Sequence, residues 1–191
     1  MDIGHREHDE PFDLDRMDGR VGEGWGGEGV LGCHINLVVA KNASATGAAG
    51  AAALASPVPG HVPFLVCAGG GTLVRPATIV FNKTTLTSPG LEQLTWGALQ
   101  IGIAQAVLDA VDQAIVPIEA TAELSLLVAA WIDPAAGDGP VDAEAQTALR
   151  LAARAAMLAA ITDARWPATP QAQQLLVARR ETITNGFYGG T

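Results

Sequence analysis

The sequence predicts an α+β fold, a small mixed sheet with helices covering one face. Three observations carry that prediction. Segments 33–40, 62–68, 77–86 and 122–132 show the period-two alternation or the short apolar runs of strands. Segments 44–56, 89–114, 142–164 and Thr169 to about Arg180 are alanine-rich or carry helix-start signals. The two kinds interleave in the order β-α-β-β-α-β-α-α, which is an α+β plan.

Each element has a local reason. In CHINLVVA (33–40), His34, Asn36 and Val38 fall on one face and Cys33, Ile35, Leu37 and Val39 on the other. SATGAAGAAALAS (44–56) reads as a helix weakened by Gly47 and Gly50. PVPGHVP is a turn-rich link into the apolar strand VPFLVCA. A glycine triplet at 69–71 invites a phosphate-loop reading, but such a loop must open a helix. Here TLVRP follows, and Pro76 disfavours helix before it, so a plain turn is expected. In ATIVFNKTTL (77–86), Ile79, Phe81, Lys83 and Thr85 share a face. Ser88-Pro89 is an N-cap and first-turn pair for the helix 89–114. Its apolar stripe is Leu91, Leu94, Ile101, Val107, Leu108 and Val111, and Trp96 and Gln100 share a face. AELSLLVAAWI is a buried strand, DPAAGDGP a loop, and residues 142–164 a strong helix.

The 191 residues suit one domain with tails. Residues 1–20 are acidic and poor in apolar side chains, which reads as a flexible tail. The run VGEGWGGEG (21–29) reads as a loop into a body spanning 21–166, and 167–191 as a short helix and tail. Eleven basic residues against twenty acidic ones leave a formal charge of −9, so neither nucleic acid nor an anionic membrane is an expected partner. No apolar run precedes the body, so no signal peptide is expected. Prolines and glycines break the uncharged stretch 42–74 before it reaches a membrane span. Cys33 and Cys67 sit in apolar runs and suggest buried thiols in a reducing compartment, hence a cytoplasmic protein.

His34 reads either as a hydrogen-bonded core histidine or as an acid/base group. Lys83 is either a lysine reaching past apolar neighbours to solvent or the contact of an anionic or carbonyl ligand. His5 and His8 lie in the acidic tail, and Cys33-His34 alone is no zinc pattern, so no metal site is expected. Serine-hydrolase, zincin and paired-carboxylate signatures do not occur.

Taken in order, GEGWGGEGVLGCHINLVVA, GHVPFLVCA, RPATIVFNKTTL, WGALQIGIAQAVLDAV and IVPIEATAELSLLVAAWI resemble the formaldehyde-activating enzyme family. The family pattern has an Ala-His-Ile-Asp strand after a glycine-rich lead, then Lys-Pro-x-Thr-Leu-Met-x-x-Lys-x-Thr, then Phe-Gly-Pro-Ala-Gln. The resemblance covers roughly residues 21–165. It implies a fold like the second domain of ribosomal protein S5 and a homopentamer with its site between subunits. It also implies one-carbon metabolism of the methylotrophic kind. The implied reaction condenses formaldehyde with tetrahydromethanopterin, as co-substrate, to methylene-tetrahydromethanopterin and water, without a metal. His34 matches the family's general acid. Leu65, Lys83, Thr85 and Gln100 match pterin contacts, and Asn36 stands where the family has a pterin-contacting aspartate. Ala98 replaces a proline, GGGTL replaces a proline-flanked turn, and GDGPVDAEAQ replaces a tyrosine-bearing segment, so the chain reads as a divergent member. The alternative implied by Asn36 is a pterin or adduct binder without turnover.

Overall fold

The computed structural model describes residues 11–166. The expected C-terminal helix from Thr169 lies outside them, as do His5 and His8. The sheet has five strands in the order β1-β2-β5-β4-β3: β1 Val21–Gly26, β2 Cys33–Lys41, β3 Phe64–Leu65, β4 Ala77–Asn82 and β5 Leu124–Ile132. Only β4 and β5 run parallel; every other pair is antiparallel. That is the mixed sheet of an α+β fold.

Among the described residues five α-helices accompany it: α1 Leu14–Met17, α2 Ala45–Leu54, α3 Pro89–Gln93, α4 Gln100–Asp112 and α5 Ala143–Arg165. The cap expected at Ser88 forms, and two further helices are capped in the same way. Ser44, Ser88 and Asp142 accept from the backbone N–H groups of Gly47, Leu91 and Ala145. Cys33, Ile35, Leu37 and Val39 of β2, with the alternate residues of β5, bury the sheet face under the long helices. Helix α2 lies on the opposite face, where Gly50 meets the Leu127 side chain.

Three sequence expectations change. The glycine-rich run 21–26 is not a loop but the edge strand β1, paired with β2 along its whole length. Gly22, Gly24 and Gly26 point at α5, where a Cβ would meet the carbonyl oxygens of Ala160, Ala156 and Ala152 at 1.9, 1.9 and 2.1 Å. Strand and helix therefore touch backbone to backbone, a contact that only glycine facing alanine permits. The second change is in the helix from Pro89. A π turn at Leu94–Leu99 joins α3 to α4 and inserts an extra residue into the repeat. The buried stripe resumes at Leu99, Ile103, Val107 and Ala110, leaving Ile101 and Leu108 about half exposed. The whole segment has the length and apolar character of a membrane span, yet more than half of it is buried inside the molecule. Third, the strand expected at 62–68 shrinks to the half-buried pair Phe64–Leu65, because β3 is an edge strand held by β4 alone. The glycine triplet is a tight turn: all three residues have positive φ, and Thr72 N–H donates to the Gly69 carbonyl.

Residues 11–20, assigned to the acidic tail by sequence, include α1, and Met17 is buried in the core. Asp18 fastens this segment. Its Oδ1 accepts from Lys41 N–H at 2.9 Å and from the Ser44 hydroxyl at 2.8 Å. The backbone bond from Lys41 holds the Asp18 carboxyl below the usual carboxylate range. A depressed folded-state value stabilises the fold above the unfolded carboxylate value of about 4, and this contribution fades as the pH falls below it. Asp18→Asn is expected to lower unfolding free energy by about 1 kcal/mol at pH 7. The difference between variant and wild type should shrink at pH 3 in urea denaturation; an equal deficit at both pH values would count against the carboxylate's role.

Candidate active site

The cross-strand register creates a row on the face opposite the long helices. Trp25 of β1 pairs with His34 of β2, and His34 pairs with Trp131 of β5. Lys83, one residue beyond β4, extends the ladder by donating its N–H to the Ala130 carbonyl at 2.7 Å. One step along the strands, Glu23 pairs with Asn36 and Asn36 with Ala129. Opposed residues point to the same side of a sheet. Alternation thus delivers Glu23, Trp25, His34, Asn36, Trp131 and Lys83 to one patch.

His34 is at its centre, with a side chain only 12% exposed. Its Nε2 lies 2.6 Å from Glu23 Oε1, and its Nδ1 lies 3.2 Å from Lys83 Nζ. The indole of Trp25 stacks on the imidazole, with centroids 3.9 Å apart and planes 14° from parallel. Lys83 Nζ also donates to Asn36 Oδ1 at 2.8 Å. These neighbours assign the protons. An ammonium is a donor only, so Nδ1 accepts from Lys83 and Nε2 carries the hydrogen given to Glu23. The same logic orients Asn36: its oxygen faces Lys83, leaving its NH₂ as a donor toward the open face. The cluster is a continuous line of hydrogen bonds from ammonium through imidazole to carboxylate, and Glu23, 58% exposed, is its solvent end.

The sequence-predicted residues divide into four places. His34, Asn36 and Lys83 come together. Leu65 of β3 pairs with Ile79 at the far edge of the sheet, three strands across from β2. Thr85 is exposed, and its Oγ lies 3.0 Å from His61 Nε2. Gln100, on α4, lines a groove of about 540 Å³ with Cys67, the glycine turn, Ile101, Gln105 and Leu108, in the helical layer. Sequence reasoning missed Glu23, Trp25 and Trp131. The signal lay in the glycines: alternate Gly22, Gly24 and Gly26 mark one strand face and put Glu23 and Trp25 on the other. Cys33 is buried, which pushes its thiol up to about 12, away from reactivity at neutral pH. Cys67 is half-buried at the groove.

The fold and this cluster define a class: an α+β protein with a hydrogen-bonded row of ammonium, imidazole and carboxylate groups on the exposed face of its sheet. The chain belongs to the formaldehyde-activating enzyme family, whose family model, Formaldehyde-activating enzyme (Fae), matches residues 21–188. It is similar to the bifunctional enzyme Fae/Hps of Archaeoglobus fulgidus, 32% identical over 118 residues, and to that of Methanospirillum hungatei, 33% identical over 118 residues. In each case the match covers 62% of this chain and 30% of the relative. It is also similar to the 5,6,7,8-tetrahydromethanopterin hydro-lyase of Methanosarcina barkeri, 31% identical over 113 residues, 59% of this chain and 64% of that protein. The chain thus spans under a third of the bifunctional relatives it matches.

Proposed function

We propose that this protein is a carbon–oxygen lyase that condenses formaldehyde with tetrahydromethanopterin to 5,10-methylene-tetrahydromethanopterin and water. The observation that carries the reading is the Lys83–His34–Glu23 line of hydrogen bonds. Family membership supplies the substrates.

The chemistry needs a proton at one point. A pterin nitrogen adds to formaldehyde to give a carbinolamine, whose hydroxyl leaves poorly as hydroxide. In the proposed step, His34 gives its Nε2 hydrogen to that hydroxyl while Nδ1 takes one from the Lys83 ammonium. Water leaves and an iminium remains. Attack by the second pterin nitrogen closes the ring and releases a proton; Nε2 takes up one proton while Nδ1 returns its hydrogen to Lys83, which restores both groups. The imidazole gains and loses one proton, and no imidazolium accumulates. Exposed Glu23 yields its place on Nε2 to the hydroxyl. The Asn36 amide offers a donor to the pterin where an aspartate would offer only acceptors.

Leu65, Thr85 and Gln100 are proposed as pterin contacts, with Gln100 supplied by a second copy of the chain. Its distance in the fold from the His34 patch, and the exposure of Trp96, Ile101 and Leu108 beside it, support a homo-oligomer with shared sites, five-fold by analogy with the family. Two free cysteines suit a cytoplasmic setting in one-carbon metabolism.

The test is the initial rate of condensation with and without protein, since the reaction also proceeds unaided. Acceleration supports the lyase; pterin binding without acceleration would replace it with the carrier reading that Asn36 favours. Lys83 bears on the step as well as on binding, because its ammonium faces His34. Lys83→Met is therefore expected to lower kcat about tenfold or more, with a smaller change in KM. A pure KM effect would assign Lys83 to the ligand instead.

A further inference from the structure

We propose that His61 is a positioning residue that makes Thr85 a hydrogen-bond acceptor toward the ligand, so that the group Thr85 meets must be an N–H or O–H donor. The inference rests on the reading of Thr85 as a pterin contact and adds a residue and a polarity to it.

The geometry begins at Asn82, the last residue of β4. Its amide Nδ2 donates to the carbonyls of Gly60 and Thr84, both at 2.7 Å, which fastens the 57–61 link to the strand end. Leu86 N–H donates to the Gly60 carbonyl at 3.2 Å from the other side. Gly60 has φ +78°, and a Cβ there would meet Thr85 Cγ2 at 2.6 Å. The Thr85 methyl group thus packs directly on Gly60. Its side-chain rotamer is set, and what remains free is the direction of the hydroxyl hydrogen.

His61 decides that direction. Its Nδ1 lies 2.8 Å from the Asn82 carbonyl oxygen, which can only accept, so Nδ1 carries the hydrogen. In the neutral ring Nε2 is then a lone pair, 3.0 Å from Thr85 Oγ. The Thr85 hydroxyl donates to it, and both oxygen lone pairs face outward. A reduced pterin offers matching donors in its amino group and ring N–H. With the hydroxyl already committed, an acceptor such as a carbonyl at the same place finds no hydrogen and meets a lone pair.

The experiment is a double-mutant cycle on the full chain, with thermal melting to establish folding. His61→Asn keeps an amide near the Nδ1 position for the Asn82 carbonyl and removes the Nε2 acceptor. Thr85→Val keeps the shape of Thr85 and removes the hydroxyl. His61→Asn is expected to raise KM for the pterin about three- to tenfold with kcat within twofold, and to have no further effect in the Thr85→Val background. An unchanged KM, or an equal effect of His61→Asn in both backgrounds, would overturn the proposal. The second measurement needs no activity: ¹⁵N spectra of the imidazole should show the Nδ1–H tautomer, with Nε2 shifting in Thr85→Val. An Nε2–H tautomer would refute the assignment. If wild type fails to accelerate condensation, the lyase reading falls, and the spectra still decide whether His61 sets the Thr85 hydroxyl.

Discussion

Replacing His34 with alanine is expected to bring the condensation rate close to that of the uncatalysed reaction, a loss of about 10²–10⁴ in kcat, the usual worth of a positioned proton donor. The leaving group sets this requirement. Carbinolamine formation needs no strong acid, but departure of hydroxide without a proton does not compete with departure of water. Among the described residues His34 is the only histidine of the open-face cluster, held between Glu23 and Lys83 and stacked on Trp25. The Trp25 face and the two hydrogen bonds fix the ring, so in the proposed step the proton comes from one position without reorganisation. Truncation also leaves Lys83 and Glu23 without their shared partner. His34→Gln is therefore the informative companion, because it retains a polar side chain in the row but cannot pass a proton from one side to the other. Both variants should bind pterin with affinity close to wild type and lose rate together. Retention of the wild-type kcat within threefold by either would remove His34 from the chemistry.

How far the sequence foretold this site follows from which forces are local. The alternation of Cys33–Lys41 is a property of one segment, so it predicted that His34 and Asn36 share a face, and they do. Lys83 was legible as an isolated charge in an apolar strand, and its ammonium joins them. The cap at Ser88 was legible for the same reason. What could not be read from local pattern depended on a second element. Six residues with three glycines have poor intrinsic strand propensity, and β1 exists because α5 presents a ladder of alanines for those glycines to touch. Losing β1 meant losing Glu23 and Trp25, two of the three side chains that contact the imidazole. The π turn in the helix from Pro89 had no composition signature, and missing it put Ile101 and Leu108 in the core. The resemblance to the family named Thr85, but only the folded link at Gly60 and His61 shows what holds it.

The dependence of the site on β1 makes Gly22→Ala the substitution with the largest expected effect on the fold. A Cβ at this position would lie 1.9 Å from the Ala160 carbonyl oxygen and 2.8 Å from Ala164 N. Both obstacles are helix backbone, so no side chain can rotate away; strand and helix must separate. Forced overpacking typically costs 1–3 kcal/mol, and an obstacle of backbone places this case at about 3 kcal/mol or above. For a chain of this size that corresponds to a fall in Tm of roughly 6–12 °C. The damage is directional. Glu23 is the next residue, its N–H donates to Asp163 Oδ2 on α5 at 3.1 Å, and its carboxylate meets His34 on the other face. Lifting β1 from α5 disturbs that bond and carries the Glu23 carboxylate and the Trp25 ring out of register with the imidazole. Activity measured well below the lowered Tm should therefore fall as well, by a factor that Glu23→Gln partly reproduces without the loss of stability. Gly139→Ala is the control: it lies in a loop where a Cβ meets nothing within 4 Å, and it should change neither quantity. Wild-type stability in Gly22→Ala would mean that strand and helix stand further apart than backbone contact. The placement of Glu23 beside His34 would then need another cause.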